Sequence, residues 1–523
     1  MLIAVSSSST ITNTSSFTFF SFQGDPADFA DYPTLGIDRN ALYVGVNVFD
    51  GVTFNFTNTT AFVINKADLI GGSLTVTAFP GLIDFVGSVG PFTPQGVQND
   101  DPNATEGYFI GVDVFVFSKL VLRRVNNPGG TPTLSGNIVL PVPITTFPME
   151  QVQPSPGATL DAIDDRLFSA SIHTNKINGT RTLWTAHNIE VNSSGVGSAA
   201  GNRNGSRWYE IGDLTTSPTL VQLGTLFDPA ASNPFGFWIP SVAMSGQGHM
   251  AIASSRASLN NTTGFASIAA AGRLRTDALG TTQAHTLTQS SSTIYSYSSP
   301  PQRWGDYSQT VVDPADDQTM WTFQEYCNAT SSWGVRVIQL LAPPPATPAT
   351  AAPPSVAPGQ ASVVVTISGS SVSGSEFFDP GADIGGPGFP NHISATVSGG
   401  VTVNSVTFNS PTSVTLNIST VGASLGSQSV TITNPDGQSR TGNNLLTITS
   451  SCAAVKGDLN GSGTLSGADI VLLINCTFNE NGTGTVGGDC NLCYADVNCT
   501  GNLSGADIVS LIAATFNEAP FPC

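Results

Sequence analysis

The chain has 523 residues, and Lys, Arg, Asp and Glu together make up only 10% of them. The formal net charge of −19 excludes binding to duplex nucleic acid, because the phosphate backbone requires a basic face. Hydrophobic residues at 40% exclude general disorder. The length predicts about three domains, and the charge-poor, Ser/Thr-rich composition is typical of a secreted or surface-displayed protein rich in strands.

The first residues show no secretory signal: they are apolar, but no basic segment precedes them and Ser6–Ser9 follow directly. No run approaches the roughly 18 apolar residues of a membrane-spanning helix, so we expect no transmembrane segment. The composition still predicts an extracellular or cell-surface location.

Residues 1–341 alternate short apolar runs with Gly, Asn, Pro and Asp. The runs have the length and composition of β-strands, as at residues 42–49, 74–79, 108–117, 167–172, 250–254 and 320–324. Turns containing Asp or Pro precede several strands, at residues 31–38, 161–165, 239–244 and 306–313. Many short strands in a recurring unit predict a mainly β chain that begins with a β-propeller.

Residues 303–323 resemble a blade signature of secreted, sialidase-like β-propeller proteins of bacteria, and residues 31–47 are similar to an earlier blade of that group. In that group at least one blade precedes the second motif. The resemblance implies an N-terminally incomplete propeller, with residues 2–5 and 17–22 as closing strands of a blade and Met1 internal to the natural reading frame. The alternative is that a neighbouring chain completes this blade, which would lead to polymerisation.

The search for an active site finds isolated candidates without a motif that arranges them. Sialidase-type propellers need an arginine cluster with a Tyr/Glu pair, for which the chain offers Arg166, Arg303, Glu325 and Tyr326. Other propeller glycosidases need two carboxylates that face the scissile bond, and the candidates are Asp161, Asp164 and Asp165. A DxxDD turn is more commonly a solvated turn or a metal loop, so we predict no catalytic and no cofactor-binding residue.

Other residue types add no clear site. No metal-binding spacing connects the five histidines, His173, His187, His249, His285 and His392. Aromatic rings that stack on sugars are present, although in a propeller most tryptophans belong to blade cores; these are Trp184, Trp208, Trp238, Trp304 and Trp321.

A Pro-rich segment, residues 342–358, predicts an extended polyproline II spacer after the propeller. Residues 359–450 alternate with period two and contain the turn at residues 434–437, a pattern that predicts a small β-sandwich. Residues 426–439 resemble the immunoglobulin-like IPT/TIG fold, whose members serve mostly as spacers in extracellular bacterial proteins.

Residues 451–523 contain an internal repeat, residues 457–471 and 495–509, that spaces oxygen ligands as an EF-hand loop does. Apolar residues at helical spacing follow each loop, which predicts a small α-helical, calcium-binding module. The predicted Ca2+ ligands are Asp458, Asn460, Ser462, Thr464, Ser466 and Asp469 in the first loop, and Asp496, Asn498, Thr500, Asn502, Ser504 and Asp507 in the second.

The repeat resembles a type I dockerin, which implies a cohesin-like partner. Position 5 of each loop is Ser462 or Thr500 where that family has Asp, so each loop offers two carboxylates and calcium binding is weakened. The family's cohesin-reading pair, commonly Ser-Thr, is Gly-Ala in both copies. A calcium-stabilised cap that docks on its own chain or on other copies therefore remains an alternative to cohesin binding.

Six of the seven cysteines lie in this module: Cys452, Cys476, Cys490, Cys493, Cys499 and Cys523. They predict a disulfide framework in an oxidising compartment, in which Cys452 and Cys523 can clasp the two ends. A zinc site at Cys490 and Cys493 is the alternative, although no histidine lies near. Sixteen Asn-x-Ser/Thr sequons permit glycosylation, but turns and metal loops favour the same residues.

Two functions are compatible with this organisation. The first is a non-enzymatic extracellular structural or adhesive protein, such as a self-assembling surface or filament subunit, whose partners are other copies of itself or surface and matrix proteins. The second is a secreted carbohydrate-active propeller that hydrolyses or binds glycans and is anchored through its dockerin-like end. The sequence favours the first.

Overall fold

A computed structural model describes the chain except residues 298, 383–387, 450–455, 479–491, 499, 501–502, 518–519 and 522–523. The described part is mainly β, as predicted, with 31 strands and four short α-helices. The chain divides into two compact units: Met1–Pro344 with Val372–Ile393 and Asn434–Gln438, and Pro345–Ser371 with Ser394–Thr433 and Ser439–Cys523. Among the described residues no helix has the length and apolar character needed to cross a membrane.

The first unit begins with a two-stranded antiparallel hairpin, β1 (Leu2–Ser6) and β2 (Phe17–Ser21), joined through a 3-10 turn at Thr14–Ser16. Its apolar residues pack against one face of the following sheet, where Ile3 and Phe20 belong to the same core as Val46 and Phe62.

Five antiparallel sheets follow, each built mainly from consecutive strands, and we number them as blades 1 to 5. Blade 1 comprises β3 (Phe29–Ile37), β4 (Ala41–Phe49), β5 (Phe56–Asn65) and β6 (Val76–Pro80), with helix α1 (Lys66–Ile70) after β5. Blade 2 comprises β7 (Pro91–Gly96), β9 (Glu106–Asp113), β10 (Lys119–Asn126), β11 (Thr133–Leu134) and β12 (Ile138–Pro141), while β8 (Gln98–Asn99) pairs with the next blade.

Blade 3 comprises β13 (Ser169–Thr174), β14 (Arg181–Val191), β15 (Arg203–Gly212) and β16 (Thr219–Leu226). Blade 4 comprises β17 (Gly236–Met244), β18 (Met250–Ala257), β19 (Ser267–Arg273) and β20 (Thr286–Gln289). Blade 5 has three described strands, β21 (Gln309–Val312), β22 (Met320–Ala329) and β23 (Ser332–Leu340).

The first strands of the blades lie next to one another in chain order, β3 beside β7, then β13, β17 and β21. Tyr32 of β3 stacks on Tyr307, just before β21, with ring centroids 4.7 Å apart, so the inner strands form a ring. Apolar cores fill the spaces between successive blades, as where Trp184 and Trp208 of blade 3 meet Val242 and Ile252 of blade 4. Consecutive sheets around an axis with cores between them define a β-propeller.

A recurring bulge marks the inner strands of blades 1, 2 and 4. Tyr32, Thr93 and Ile239 have positive φ values of 51°, 45° and 52°, each is followed by proline, and the strand register shifts there. Positive φ is costly for such residues, and a bulge redirects the strand. The Pro-bearing turns found in the sequence are therefore part of the inner strands themselves.

The second unit contains two four-stranded sheets, as the period-two pattern predicts. One sheet has the order β24 (Thr347–Ala352), β26 (Val363–Ser370), β29 (Ser413–Ser419), β28 (Thr402–Ser410). The other has the order β25 (Ser355–Val356), β31 (Ser439–Ile448), β30 (Gly426–Thr433), β27 (Ser394–Val397). Residues 342–358, predicted as an extended spacer, instead contribute two strands to this unit. β24 and β25 lie within that segment and pair with strands of the two sheets.

The last described elements are helices α2 (Gly467–Phe478), α3 (Leu492–Ala495) and α4 (Gly505–Asn517). Leu473 of α2 and Leu511 of α4 are fully buried in one small core together with Leu459 and Val497. Cys476, in the same core, is disulfide-bonded. The pairing of the predicted framework stays a prediction, because Cys452, Cys490, Cys499, Cys523 and the side chain of Cys493 lie outside the described residues.

Candidate functional site

A pocket of about 490 Å³ opens beside blade 5. Two stretches of chain form most of its wall: the segment before β21, and the facing surfaces of β22 and β23. We call it the blade-5 pocket; its lining residues are Tyr295, Arg303, Trp304, Gly305, Asp306, Tyr307, Ser308, Gln309, Phe323, Gln324, Glu325, Trp333 and Val335.

Glu325 of β22 is the carboxyl group with the most perturbed environment in this pocket. Burial raises the pKa of Glu325 to about 7; the N–H of Gly305 acts in the opposite direction and the charge of Asp306 adds to the rise. The Gly305 N–H donates to Glu325 Oε2 at 2.7 Å. A Cβ atom at Gly305 would lie 1.9 Å from that oxygen, so only glycine permits this approach.

Arg303 connects the pocket to the acidic turn that precedes β13. Its Nη1 lies 3.4 Å from Asp161 Oδ2, and its Nη2 lies 3.2 Å from both carboxylate oxygens of Asp306. A backbone bridge between Leu160 and Gln302 brings the two segments together. The guanidinium therefore positions two carboxylates from distant parts of the sequence.

A second ion pair lies next to this group. Arg166 donates from Nε and Nη2 to the two carboxylate oxygens of Asp164, at 2.7 and 2.6 Å. Its Cζ lies 4.2 Å from the centre of the Tyr32 ring, and the Tyr32 hydroxyl donates to the carbonyl oxygen of Asp306. Both arginines of the predicted cluster are thus paired with carboxylates, Arg166 with Asp164 and Arg303 with Asp161 and Asp306.

Asp165, next to Asp164 in the turn before β13, is buried. Burial, followed by the neighbouring charge of Asp164, raises the pKa of Asp165 to about 7. Its carbonyl oxygen accepts from His187 Nδ1 at 2.6 Å, and burial lowers the pKa of that histidine to about 4. The side chains of Asp161 and Asp164 thus pair with Arg303 and Arg166 without lining the pocket, whereas Asp165 is buried within the turn.

The predicted Glu325–Tyr326 pair is not brought together in the pocket. Adjacent residues of a strand point to opposite faces, and Tyr326 does not line the pocket; the tyrosines that line it are Tyr295 and Tyr307. Trp184, Trp208, Trp238 and Trp304 are buried in blade cores, as expected. Trp333, which the sequence analysis passed over, is 58% exposed at the pocket.

A larger cavity of about 1170 Å³ lies at the opposite ends of the inner strands. Its carboxylates are engaged in the fold: Asp38 accepts from two backbone N–H groups and Tyr43, and Asp317 pairs with His173 at 2.6 Å. Although burial lowers the pKa of His173, Asp317 and Asp100 raise it to about 10. These contacts fit a structural role better than catalysis.

The two repeated loops of the C-terminal module adopt matching hydrogen-bond patterns. Asp469 accepts from the N–H groups of Asn460 and Ser466 and from the Ser466 hydroxyl. Asp507 accepts from the corresponding groups of Asn498 and Ser504. Asp458 and Asp496 accept from Ser462 and Thr500. Asn502 lies outside the described residues.

The chemistry of these loops fits calcium, because each converges two carboxylates and several hydroxyl or amide oxygens on a tight turn. All four carboxylates are buried. Among the described residues no group of three or more His, Cys, Asp or Glu side chains is placed to hold a metal, in agreement with two carboxylates per loop. Calcium binding by these twelve residues stays a prediction.

No family model matches the chain, and no curated protein matches it. Solved structures similar to part of it include a glycoside hydrolase, at 12% identity and TM-score 0.29 over 60% of this sequence and 88% of that protein. The catalytic domain of Coprinopsis cinerea GH62 alpha-L-arabinofuranosidase is 9% identical, TM-score 0.28, over 61% and 93% of the two proteins. A Trypanosoma rangeli sialidase mutant with trans-sialidase activity is 14% identical, TM-score 0.27, over 60% and 44%.

The prediction of a non-enzymatic structural or adhesive protein is wrong in the light of these findings. The three similar solved structures bear the names of glycoside-processing enzymes, although likeness at this level assigns no activity to this chain. The sequence contains no local motif for this arrangement, because the fold brings Glu325, Asp306 and aromatic side chains together in the blade-5 pocket from separate segments.

Proposed function

We propose that this chain is a carbohydrate-active propeller that hydrolyses glycosidic bonds in the blade-5 pocket. The observation that supports it is that Glu325, a buried carboxyl, and Asp306, a carboxylate held by Arg303, line the same pocket. Hydrolysis of a glycosidic bond needs one carboxylic acid and one carboxylate on either side of that bond.

In this proposal Glu325 is the general acid. Because its pKa is raised to about 7, a substantial fraction stays protonated near neutral pH, and this form donates its proton to the glycosidic oxygen as the bond between that oxygen and the anomeric carbon breaks. Asp306 stabilises the positive charge that develops on the sugar, and acts as nucleophile or as the base that activates water. Water supplies the hydroxyl group of the new reducing end, and Glu325 regains its proton from solvent.

We further propose that the protein is secreted and that calcium stabilises its C-terminal module as an anchor. The support is the low charge of the whole chain and the matched buried carboxylates of the two loops. The loops are distant in sequence from every residue of the blade-5 pocket. Because calcium stabilises the module in this proposal, chelation lowers the stability of the module. Because the loops are distant in sequence from the pocket, chelation leaves the chemistry of the pocket unchanged.

The test is hydrolysis of a panel of aryl glycosides and polysaccharides by the full chain. On polysaccharides and other substrates with poor leaving groups, Glu325→Gln and Asp306→Asn are each expected to lower kcat by about 10²–10⁴-fold. Glu190→Gln is the control, because this half-buried carboxylate of β14 does not line the pocket. Hydrolysis that both pocket variants retain in full would overturn the proposal.

A further inference from the structure

One face of blade 5 carries a row of exposed apolar side chains that continues from the pocket. Trp333, Val335 and Val337 alternate along β23, so they point to the same face, and they are 58%, 57% and 49% exposed. Phe323, 40% exposed, lies opposite Val337 on β22. We call these four residues the blade-5 strip.

The strip and the proposed acid belong to one surface. Glu325 lies directly opposite Val335 in the strand pairing, between the Phe323–Val337 pair and Trp333. Residues directly opposite in an antiparallel pair share a face of the sheet. From residue 333 to residue 337 the strand advances about 13 Å, which is longer than a single sugar ring, so a bound glycan can lie along the strip and across Glu325.

The charges around the strip select against acidic sugars. Arg166 pairs with Asp164, and Arg303, which is 72% exposed, lies 3.4 and 3.2 Å from Asp161 and Asp306, so carboxylates outnumber cations in the described site. A substrate carboxylate in the pocket would meet Asp306, which lines it, and like charges repel. The formal net charge of −19 adds long-range repulsion of the same sign.

We infer that the blade-5 strip and pocket bind a neutral polysaccharide, with the ring of Trp333 stacked against the apolar face of a sugar. This inference rests on the proposed function and names its substrate class. An exposed apolar strip of this kind marks a binding surface, and an amphipathic aromatic ring suits a ligand with one apolar face and polar edges. The continuity of the strip with Glu325 and the excess of carboxylates over cations among the described site residues favour a neutral glycan over an acidic one.

The experiment measures binding to the full-length Glu325→Gln variant, in which cleavage is suppressed. Affinity electrophoresis in gels containing arabinoxylan, galactomannan or hydroxyethylcellulose is compared with gels containing polygalacturonate or polysialic acid. We expect retardation by at least one neutral polymer and none by the acidic ones. Adding Trp333→Ala is expected to weaken the neutral interaction about tenfold. Adding Phe85→Ala, which changes an aromatic residue 57% exposed in the connection between blades 1 and 2, leaves it unchanged.

Each alternative has its own outcome. Tighter retention by polygalacturonate or polysialic acid, or neutral binding that survives Trp333→Ala, overturns the inference. Self-association seen by light scattering and lost on Trp333→Ala, without retention by any neutral polymer, assigns the strip to a protein interface and also overturns it. Neutral binding that depends on Trp333 in a wild-type protein without hydrolytic activity supports the inference and instead contradicts the proposed hydrolysis.

Discussion

The blade-5 pocket and the two C-terminal loops both contain several carboxyl groups, but they differ in how many hydrogen-bond donors surround each group. In the loops, backbone N–H groups and a serine hydroxyl donate to both oxygens of Asp469 and, in the same pattern, of Asp507. In the pocket Glu325 receives one N–H and is otherwise desolvated, which raises its pKa to about 7. The residue type is therefore a poor guide to chemistry, and the number of donors around each carboxyl is a better one.

The largest expected effect is the loss of kcat in Glu325→Gln, and its size depends on the leaving group of the substrate. Glu325→Gln is expected to lower kcat about 10²–10⁴-fold on a glycoside with a poor leaving group, because the departing oxygen then needs a proton. The loss is expected to be much smaller with an activated aryl glycoside, whose leaving group departs without protonation. Steady-state kinetics on a matched pair of substrates measures the difference.

Asp306→Asn provides the comparison for this experiment. A carboxylate that stabilises the sugar is needed with either leaving group, so both substrates are expected to lose activity equally. If Glu325→Gln lost activity equally on both substrates, Glu325 would not be the general acid.

The next effect concerns the loops. A ligand that binds only the folded state at a hundred times its Kd stabilises that state by about 2.7 kcal/mol. We expect saturating calcium to raise the melting temperature of the C-terminal module, measured by calorimetry with and without chelator. Asp469→Asn and Asp507→Asn are expected to reduce that increase to similar extents, because their hydrogen bonds correspond one to one.

Asp68→Asn, in the first turn of α1, is the control and leaves the calcium response intact. A melting temperature that calcium and chelator do not change would show that the loops fold without the ion.

The contrast between the two regions also explains how much the sequence could predict. The loops are local, since each ligand set lies within twelve residues, and their spacing alone predicts the turn and the following helix. The strands of residues 42–49 and 250–254 were likewise found, within β4 and β18, from composition. The pocket joins Asp161 to Arg303 through a bridge between distant segments, which no spacing rule contains.

Two local expectations differ from the structure for physical reasons. The Pro-rich residues 347–352 form β24 because polyproline II and β-strand backbones are both extended, and β24 is an edge strand of its sheet, where proline is tolerated. The Glu325–Tyr326 pair could have been set aside from sequence, since neighbours on a strand face opposite ways. Trp333 was missed because the exposed face of β23 is apolar, and the local sequence does not distinguish an exposed apolar face from a buried one.

A smaller effect is expected in the pH dependence of the pocket. Because the pKa of Glu325 is raised to about 7 and the acid must be protonated, kcat is expected to fall above pH 7 by about tenfold per pH unit. This alkaline limb should be absent from the residual activity of Glu325→Gln and unchanged in Glu190→Gln. An alkaline limb that persists in Glu325→Gln would assign the titrating group to another residue, with Asp165 the next candidate.

The smallest expected effect is a change in the calcium affinity of the loops. Ser462→Asp and Thr500→Asp each place a third carboxylate at loop position 5, and we expect calcium affinity to rise about tenfold per loop, because affinity follows the number of charged ligands. Ser462→Asn is the matched control, since it adds a carbonyl oxygen of similar reach without charge. Calorimetric titration with calcium distinguishes them: equal gains from Asp and Asn would mean that ligand reach limits these loops, and a gain from Asp alone means that charge does.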